Sequence, residues 1–380
     1  MKVRVTNIFL LLLFWSCSSP EKVNYNSIEV DIDERHNVSV LNLFDRIELI
    51  PLETSNSSLL SFIDKLICYN DVLYIHDYSE KQILAFGPDG KFLYKINNRG
   101  QGPGEYLHIS DFDINKEESK MLIVDPVRNE LHEYDLTGKF LNKIKLPVIY
   151  GAYNKIKWLN TDKIAFWTFD DHNRLKFYNK SDNSIYQEFL PIEEKSLFDQ
   201  FSVSVFPYCQ NMMISSTIDN NIYEISSDGS FTIAYTWNFG KLNNKADIIK
   251  RYPKRNLNTL EEIKTLSNQM SSSEIVNYCF TSVGGNRTCR YAQIMRKDKH
   301  INIWHNTNKK ETIIFEKSTE NASFYPSYWD DAFVIGFGPY AGNAFLETTI
   351  PDAILSKEDL IKKTLIREDD NPVLIKYYFK

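Results

Sequence analysis

The feature that most constrains this chain is an internal repeat with a period of 48 residues. Residues 73–96 align without a gap with residues 121–144, and Asp77 then matches Asp125. A weaker third copy covers residues 212–231. Fixed periods of this length are typical of folds built from one repeated supersecondary unit.

Each unit of the repeat reads as short strands joined by tight turns. In residues 91–96, KFLYKI, apolar and polar residues alternate as in a half-buried strand. The triplets at 88–90, 136–138 and 227–229 each end in glycine, which accepts the positive φ of a hairpin turn. Aromatic residues, which favour strands, make up 14% of the chain. Four strands in roughly 40–50 residues describe a propeller blade.

The spacing of strands and turns leaves room for six blades. Five predicted blades and the start of a sixth lie at about 59–97, 107–146, 152–190, 201–239, 275–316 and from 322 onwards. Two further strands, Phe44–Ile50 and Val373–Phe379, would complete the sixth blade and remove its exposed edges. We therefore predict an all-β fold, a six-bladed β-propeller of four-stranded blades whose ring is closed by the N- and C-terminal strands.

Two insertions interrupt the repeat, at about 241–273 and 351–367, and both have helical spacing. In the second, Ser356 followed by Asp359 resembles a capping box. The first carries a small basic cluster that is either a solvated helical face or a site for an anionic ligand or lipid surface: Lys250, Arg251, Lys254 and Arg255.

The N-terminus has the pattern of an export signal. Two basic residues precede an apolar run, Ile8–Trp15, that is too short to span a bilayer. Ser16 and Cys17 then resemble a bacterial lipobox, in which the cysteine is lipidated; the alternative is an ordinary signal peptide. The predicted organisation is a signal peptide at 1–16, a lipidated cysteine with a linker at 17–40, and the propeller at 41–380.

Charge and cysteine content limit the classes of partner. The net charge is −6 and the pI about 5.8, which excludes a typical nucleic-acid-binding protein. An exported protein can form disulfides, and Cys279 and Cys289 flank a Gly284-Gly285 turn. They are a candidate pair across a hairpin; the alternative is buried free thiols.

The chain resembles the six-bladed β-propeller lipoproteins of gut-type Gram-negative bacteria, which are related in pattern to NHL-repeat propellers. The resemblance covers about residues 40–380 and is carried by IPLET at 50–54, the loop at 99–106, the Asp-Gly-Lys-Phe turn and DNPVL at 370–374. It implies a location in the cell envelope, lipid-anchored at the outer membrane. It implies no reaction.

The stretch NNRGQGPGEY at 97–106 joins the first two predicted blades. It is not a dinucleotide-binding loop, because its spacing is G-x-G-x-G, Pro103 lacks an amide donor and a strand follows. We favour a structural crossover with Tyr106 packed between blades. In the alternative, Arg99, Gln101 and Glu105 point into the mouth of the central channel.

In a propeller this crossover shares a face with the loops between the second and third strands. That face is the predicted ligand site, and its candidate residues are Arg99, Gln101, Glu105, Tyr106, Asp77, Asp125, Arg128, His172 and Arg174. Aromatic residues in loops would suit stacking on sugars; we expect this of Tyr78, Trp329 and Tyr340.

We find no catalytic set, metal motif or cofactor motif in the sequence. His300 and His305 lie five apart, on opposite faces of a strand. We therefore predict an envelope lipoprotein that binds a glycan, a peptide or a partner protein, and no metal or cofactor. The alternatives are a lyase or hydrolase acting on a saccharide or peptide, and a structural subunit of an envelope complex.

Overall fold

The fold is seen in a computed structural model. It describes residues 26–380 except 150, 170–171, 192–203, 209–210, 216–219, 243–249, 251–258, 275–279, 339–345 and 347–348.

Six four-stranded antiparallel sheets form the six blades, which confirms the predicted propeller. An extra strand, β1 (Asn26–Glu29), and the strand β2 (Phe44–Pro51) precede the first complete blade. Blade 1 contains β3 (Lys65–Tyr69), β4 (Val72–Asp77), β5 (Gln82–Phe86) and β6 (Phe92–Ile96). Blade 2 contains β7 (Asp111–Asn115), β8 (Lys120–Asp125), β9 (Glu130–Asp135) and β10 (Phe140–Lys145). Blade 3 contains β11 (Tyr153–Trp158), β12 (Lys163–Thr168), β13 (Asn173–Asn179) and β14 (Ser184–Pro191).

The second half of the ring repeats this arrangement. Blade 4 contains β15 (Ser204–Tyr208), β16 (Asn211–Ser215), β17 (Asn221–Ile225) and β18 (Phe231–Asn238). Blade 5 contains β19 (Phe280–Gly285), β20 (Cys289–Arg296), β21 (Lys299–Asn306) and β22 (Glu311–Phe315). Blade 6 combines β23 (Pro326–Trp329), β24 (Phe333–Phe337) and β25 (Val373–Phe379) with β2. The first strand of each blade is the inner strand, next to the axis of the ring, and contacts the inner strands of neighbouring blades.

The ring closes where the two ends of the propeller pair. β2 lies antiparallel to β25, from Phe44 opposite Phe379 to Pro51 opposite Val373. β2 is thereby the outer strand of blade 6, and the two terminal strands complete this blade as predicted from the sequence. The pairing joins the start of the ring to its end by backbone hydrogen bonds and leaves no unfinished blade.

Residues 26–39 pack along the outside of the ring, although we had assigned them to a linker. β1 adds a fifth, parallel strand to blade 4, against β18. The backbone of His36 then donates to Ile314 O of blade 5 at 2.7 Å, and His36 Nδ1 accepts from Ile314 N at 3.1 Å. Since these groups lie on outer strands, the segment covers edges that would otherwise expose unpaired backbone.

The hydrophobic core is divided among the spaces between adjacent blades. One cluster packs Phe86 of blade 1 against Phe112 of blade 2, and the next packs Leu131 of blade 2 against Phe166 of blade 3. Similar clusters lie between blades 3 and 4, 4 and 5, and 5 and 6. Each blade therefore buries both faces of its sheet, and its stability depends on both neighbours.

Both predicted insertions contain helices. The short helix α1 (Val40–Leu43) precedes β2, α2 (Leu260–Ser271) follows blade 4, and α3 (Lys357–Leu365) lies between β24 and β25. Ser356 caps α3 as predicted, accepting from Asp359 N. No helix among the described residues has the length and apolar character that a bilayer crossing requires.

Helix α3 protects the outer edge of blade 6. The buried Asp359 accepts the Leu49 N–H at 2.9 Å, and Lys362 Nζ donates to the Leu49 carbonyl at 3.2 Å. Two side chains thus satisfy the free backbone groups of one residue on β2. Without them this edge would be open to pairing with another chain.

The turn between the third and fourth strands of one blade packs on the preceding blade. In blade 1, Gly90 has φ of 82°, and a Cβ there would lie 2.1 Å from the carbonyl oxygen of Pro51. The Gly90 carbonyl also accepts Glu53 N–H at 2.9 Å. Glycine is required at this turn both by the backbone conformation and by the close approach of blade 6.

Replacing Gly90 by alanine should reveal this close approach. Gly240 is a matched control, because its φ is 58° and a Cβ there would meet no atom within 4 Å. Gly240→Ala should lower the free energy of unfolding by about 1–2 kcal/mol, the left-handed backbone cost of a β-carbon. Gly90→Ala should lower the free energy of unfolding, measured in urea, by about 1–3 kcal/mol more than Gly240→Ala does, because the added methyl group overpacks the contact with Pro51. Equal losses for the two variants would contradict the packing described here.

Candidate functional site

The centre of the ring holds a cavity of about 450 Å³. Five inner strands contribute to its wall, namely β3, β7, β11, β19 and β23. The segment Phe62–Asp64, which enters β3, also lies on the wall. Chains enter their inner strands from the face that carries the crossovers, so Phe62–Asp64 mark the end of the cavity on that face. We call this end the channel mouth.

Charged side chains on three successive inner strands, β3, β7 and β11, form a ladder in the wall. Lys65 donates to both carboxylate oxygens of Asp111 at 3.0 Å, and Lys157 donates to Asp113 at 2.9 Å. Alternate residues of a strand point the same way, so Asp111 and Asp113 both face blade 3. There they also accept the backbone N–H groups of Ile156 at 2.9 Å and Trp158 at 2.8 Å. The two buried carboxylates therefore join blade 2 to blade 3.

Asp64 lies nearer the channel mouth and has two basic neighbours. Its Oδ2 lies 3.3 Å from Lys155 Nζ and 3.3 Å from His76 Nδ1. Burial opposes ionisation, but the hydrogen bond from His76 and the charge of Lys155 outweigh it and lower the pKa of Asp64 to about 2. For Lys155, burial is likewise outweighed by Asp111 and Asp64, whose charges raise its pKa. Both groups are charged at neutral pH.

Two of the three lysines in these pairs retain hydrogen-bonding capacity toward the cavity. Lys65 has three acceptors, the two oxygens of Asp111 and the Phe112 carbonyl, so its ammonium is saturated. Lys155 and Lys157 each have one acceptor among the described side chains and backbone, and their side chains are 22% and 21% exposed. An ammonium has three N–H groups, so each lysine has donors left for a ligand.

The channel mouth also has aromatic edges. Phe62 lines the cavity and is 47% exposed. Tyr78, 48% exposed, packs edge-on against His108 with ring centroids 4.9 Å apart. Burial, together with the charge of Lys81, lowers the pKa of His108, so its imidazole is neutral at pH 7. The mouth therefore offers apolar ring surface beside paired charges.

The NNRGQGPGEY loop packs between blades 1 and 2. The buried Tyr106 hydroxyl donates to the carbonyls of Lys81 at 2.9 Å and Ile96 at 3.2 Å, and Tyr134 donates to Gly104 O at 3.0 Å. A Cβ on Gly104, where φ is 75°, would lie 2.8 Å from the Phe140 ring. This geometry agrees with the predicted structural crossover.

Glu105 and Arg128 hold the loop in shape. The Glu105 carboxylate accepts Gly102 N–H at 2.6 Å. The Arg128 guanidinium donates to the carbonyls of Gly100 and Glu105, each at 3.0 Å. Both side chains are thus bound to the crossover itself.

Asp77 and Asp125 occupy equivalent positions in the repeat and have the same role in successive blades. Asp77 accepts Glu80 N–H within its own turn and Ser61 N–H from the entering segment. Asp125 accepts Val127 and Arg128 N–H within its turn and Leu107 N–H from the entering segment. Each buried carboxylate ties a turn to the chain that leads into its blade.

The remaining predicted residues are spread over the surface and the blades. Arg99, Gln101 and His172 are exposed, whereas Arg174 is buried and donates to the Thr168 carbonyl at 3.4 Å. The residues that line the cavity include none of the nine predicted for the ligand site. Their role in binding stays a prediction.

Several other expectations fall partly outside the described residues. These include Cys17, Tyr340, most of the basic cluster and Cys279. Phe280, the residue after Cys279, pairs with Ile294, which lies five positions after Cys289 on β20. The disulfide between Cys279 and Cys289 remains a prediction. Trp329 is buried, with 1% exposure. Among the described residues, no group of three or more His, Cys, Asp or Glu side chains could hold a metal ion.

The cavity residues that sequence reasoning missed did leave a signal. Asp111-Phe112-Asp113 and Lys155-Ile156-Lys157 place like charges at alternate positions of otherwise apolar strands. Such a pattern on an inner strand puts the charges on one face. Since blade positions were predictable, inner strands with alternating charges were identifiable as channel candidates.

Removing the Asp125 carboxylate should destabilise the fold, because three backbone N–H groups lose their acceptor. Asp135→Ala is a matched control, because Asp135 also accepts three hydrogen bonds, from Thr137 N, Thr137 Oγ1 and Lys139 N. Its turn is more exposed, so water can take the place of the lost carboxylate. The free energy of unfolding, measured in urea, should fall by about 2–4 kcal/mol in Asp125→Ala and by less than about 1.5 kcal/mol in Asp135→Ala. Trypsin should also cleave the Asp125→Ala variant faster at Arg99. Equal stability losses would argue against the anchoring role.

Asp64 should make stability depend on acid pH. Its pKa is about 2 in the folded chain against an ordinary value of 3.8, so its contribution is complete above about pH 4 and lost as the pH falls toward 2. Between pH 5 and pH 2 the wild type should lose about 2 kcal/mol more stability than Asp64→Asn. Urea unfolding across this range measures the difference, and parallel pH profiles would refute it.

Comparison with known proteins supports the fold and identifies the family. A "putative exported protein" from Bacteroides fragilis NCTC 9343 aligns over 93% of this chain and 100% of its own, with 16% identity and a TM-score of 0.70. A member of the DUF4221 family from Bacteroides vulgatus aligns over 91% of this chain and 99% of its own, with 10% identity and a TM-score of 0.54. At these identities the likeness shows the fold alone. No curated protein matches the sequence.

The family described as "Domain of unknown function (DUF4934)" matches residues 25–378. That range contains every blade, the segment along the outer edges and both insertions. The chain therefore belongs to the DUF4934 family.

Proposed function

We propose that this protein is an exported, lipid-anchored binding protein of the cell envelope whose propeller holds a glycan at the channel mouth. The signal-like N-terminus and Cys17 support export and anchoring. A structural neighbour described as exported is consistent with this location. Lipidation at the outer membrane remains part of the proposal.

The observation that carries the proposal is the composition of the channel mouth. Lys155 and Asp64 are charged, paired and partly exposed to the cavity, at 22% and 26% of their side-chain surface. Lys155 supplies N–H donors, and Asp64 Oδ1 supplies an acceptor beside them. Sugar hydroxyl groups both donate and accept, so they match such a pair without adding charge.

The aromatic and electrostatic setting favours a neutral ligand. Three of the four lysines that line the cavity pair with a carboxylate, and the fourth, Lys116, lies 5.9 Å from the centroid of the Tyr69 ring, so most of the charge that a strongly ionic ligand would meet is compensated. The exposed Phe62 ring offers a surface on which the apolar face of a sugar ring can pack. The volume, about 450 Å³, lies within the range of small-molecule sites.

Binding should depend on the Lys155 ammonium. Purified protein would be screened against neutral gluco-, manno- and xylo-oligosaccharides, and the best ligand titrated by calorimetry. Since a hydrogen bond to a charged group contributes roughly 1.5–3 kcal/mol, Lys155→Met should weaken binding about tenfold or more.

Lys143→Met is the matched control, because Lys143 pairs with Glu130 at 3.5 Å on the outer strand of blade 2, away from the cavity. It should bind as the wild type does. Phe62→Ala provides an independent variant that leaves the buried charges intact. Equal affinity for the wild type, Lys155→Met and Phe62→Ala, or no binding by the wild type, would refute the proposed site.

A further inference from the structure

A second cavity, about 240 Å³ in volume, lies between blades 5 and 6. Its wall includes Lys299 and His300 at the start of β21, and Ser323–Tyr325 on the segment that enters blade 6. Entering segments and turns between second and third strands occupy the same face of the ring. The second cavity therefore opens on the same face as the channel mouth; we call it the radial groove.

The two cavities share part of their walls. Gln293 and Tyr325 line both. Gln293 is fixed between the blades, because its Nε2 donates to Asn302 Oδ1 at 3.1 Å and to the Phe324 carbonyl at 2.9 Å. The two cavities therefore adjoin at Gln293 and Tyr325, and Tyr325 lies between the channel mouth and the radial groove.

The chemistry of the radial groove matches that of the channel mouth. Partial burial of the His300 ring disfavours its charged form and lowers the pKa of His300, so the imidazole is neutral at pH 7. Lys299 is paired with Glu316 at 3.0 Å. The exposed His300 ring lies edge-on to Tyr325, with centroids 6.2 Å apart. A neutral imidazole, the Lys299–Glu316 pair, the Lys317 ammonium and a phenol ring offer donors, acceptors and a stacking surface.

We infer that the ligand is a linear neutral oligosaccharide, with one end in the channel mouth and its following sugar units in the radial groove beside Tyr325 and His300. This inference rests on the proposed function and adds the length and direction of the ligand. A compact ligand would occupy the channel mouth alone and would not need the groove.

The test is chain-length dependence of binding. Gluco-, manno- and xylo-oligosaccharides, from monosaccharide to hexasaccharide, would be titrated into the full mature chain by calorimetry. For the series that binds, affinity should rise about tenfold or more between the monosaccharide and the tetrasaccharide, then level off. His300→Ala should remove most of this gain, and His300→Asn, which keeps hydrogen-bonding groups, should restore part of it.

His305→Ala is the matched control. His305 lies on the same strand, where it contacts Thr312 through Nδ1 at 3.0 Å, and it lines neither cavity. It should retain the full chain-length gain. If affinity is independent of length, or His300→Ala keeps the whole gain, while Lys155→Met still weakens binding, the groove inference fails and the proposed function stands. If no saccharide of any length binds to the wild type, both fail.

Discussion

The structure depends on the pairing of β2 with β25. A propeller blade buries both sheet faces against its neighbours, so an incomplete blade leaves two interfaces without support. Pairing Phe44–Pro51 with Val373–Phe379 completes blade 6 by backbone hydrogen bonds between distant parts of the chain. Segment 26–39, which precedes β2, also joins distant parts of the chain, because its backbone binds the outer strands of blades 4 and 5. Asp359 and Lys362 then satisfy backbone groups at the edge of β2 itself.

Inside the ring, charge has two separate structural uses. Asp77 and Asp125 anchor turns to entering segments, and their carboxylates are fully committed to backbone N–H groups. Asp111 and Asp113 join two inner strands and bind lysines at the same time. Buried carboxylates are tolerated only with such partners, since an unpaired buried charge is strongly destabilising. Among the residues that line the cavity, Lys155, Lys157 and Asp64 keep spare hydrogen-bonding capacity, and this difference separates the candidate site from the scaffold.

The glycine-rich loop illustrates why a conspicuous motif need not mark a site. Its glycines fit between blades, its glutamate folds back on Gly102, and Arg128 binds its carbonyls. Much of the polarity that made the stretch resemble a binding loop is used within the crossover. The candidate site instead lies on plain strands, where no turn residue draws attention to it.

The blades can be predicted without a structure, because strand alternation, hairpin glycines and the 48-residue period are local properties of the chain. The closing strands can be predicted too, since Phe44–Ile50 and Val373–Phe379 were the strands left without a blade. Tertiary structure alone decided which side chains meet. Lys65 pairs with Asp111, which lies 46 residues later in the chain, and Lys155 pairs with Asp64, which lies 91 residues earlier. Those contacts depend on the rotation of one blade against the next and on the depth of each residue along the axis. Neither quantity is encoded in a local pattern, so the fold and the alternating charges of the inner strands were readable from the sequence, while the pairs that these charges form were not.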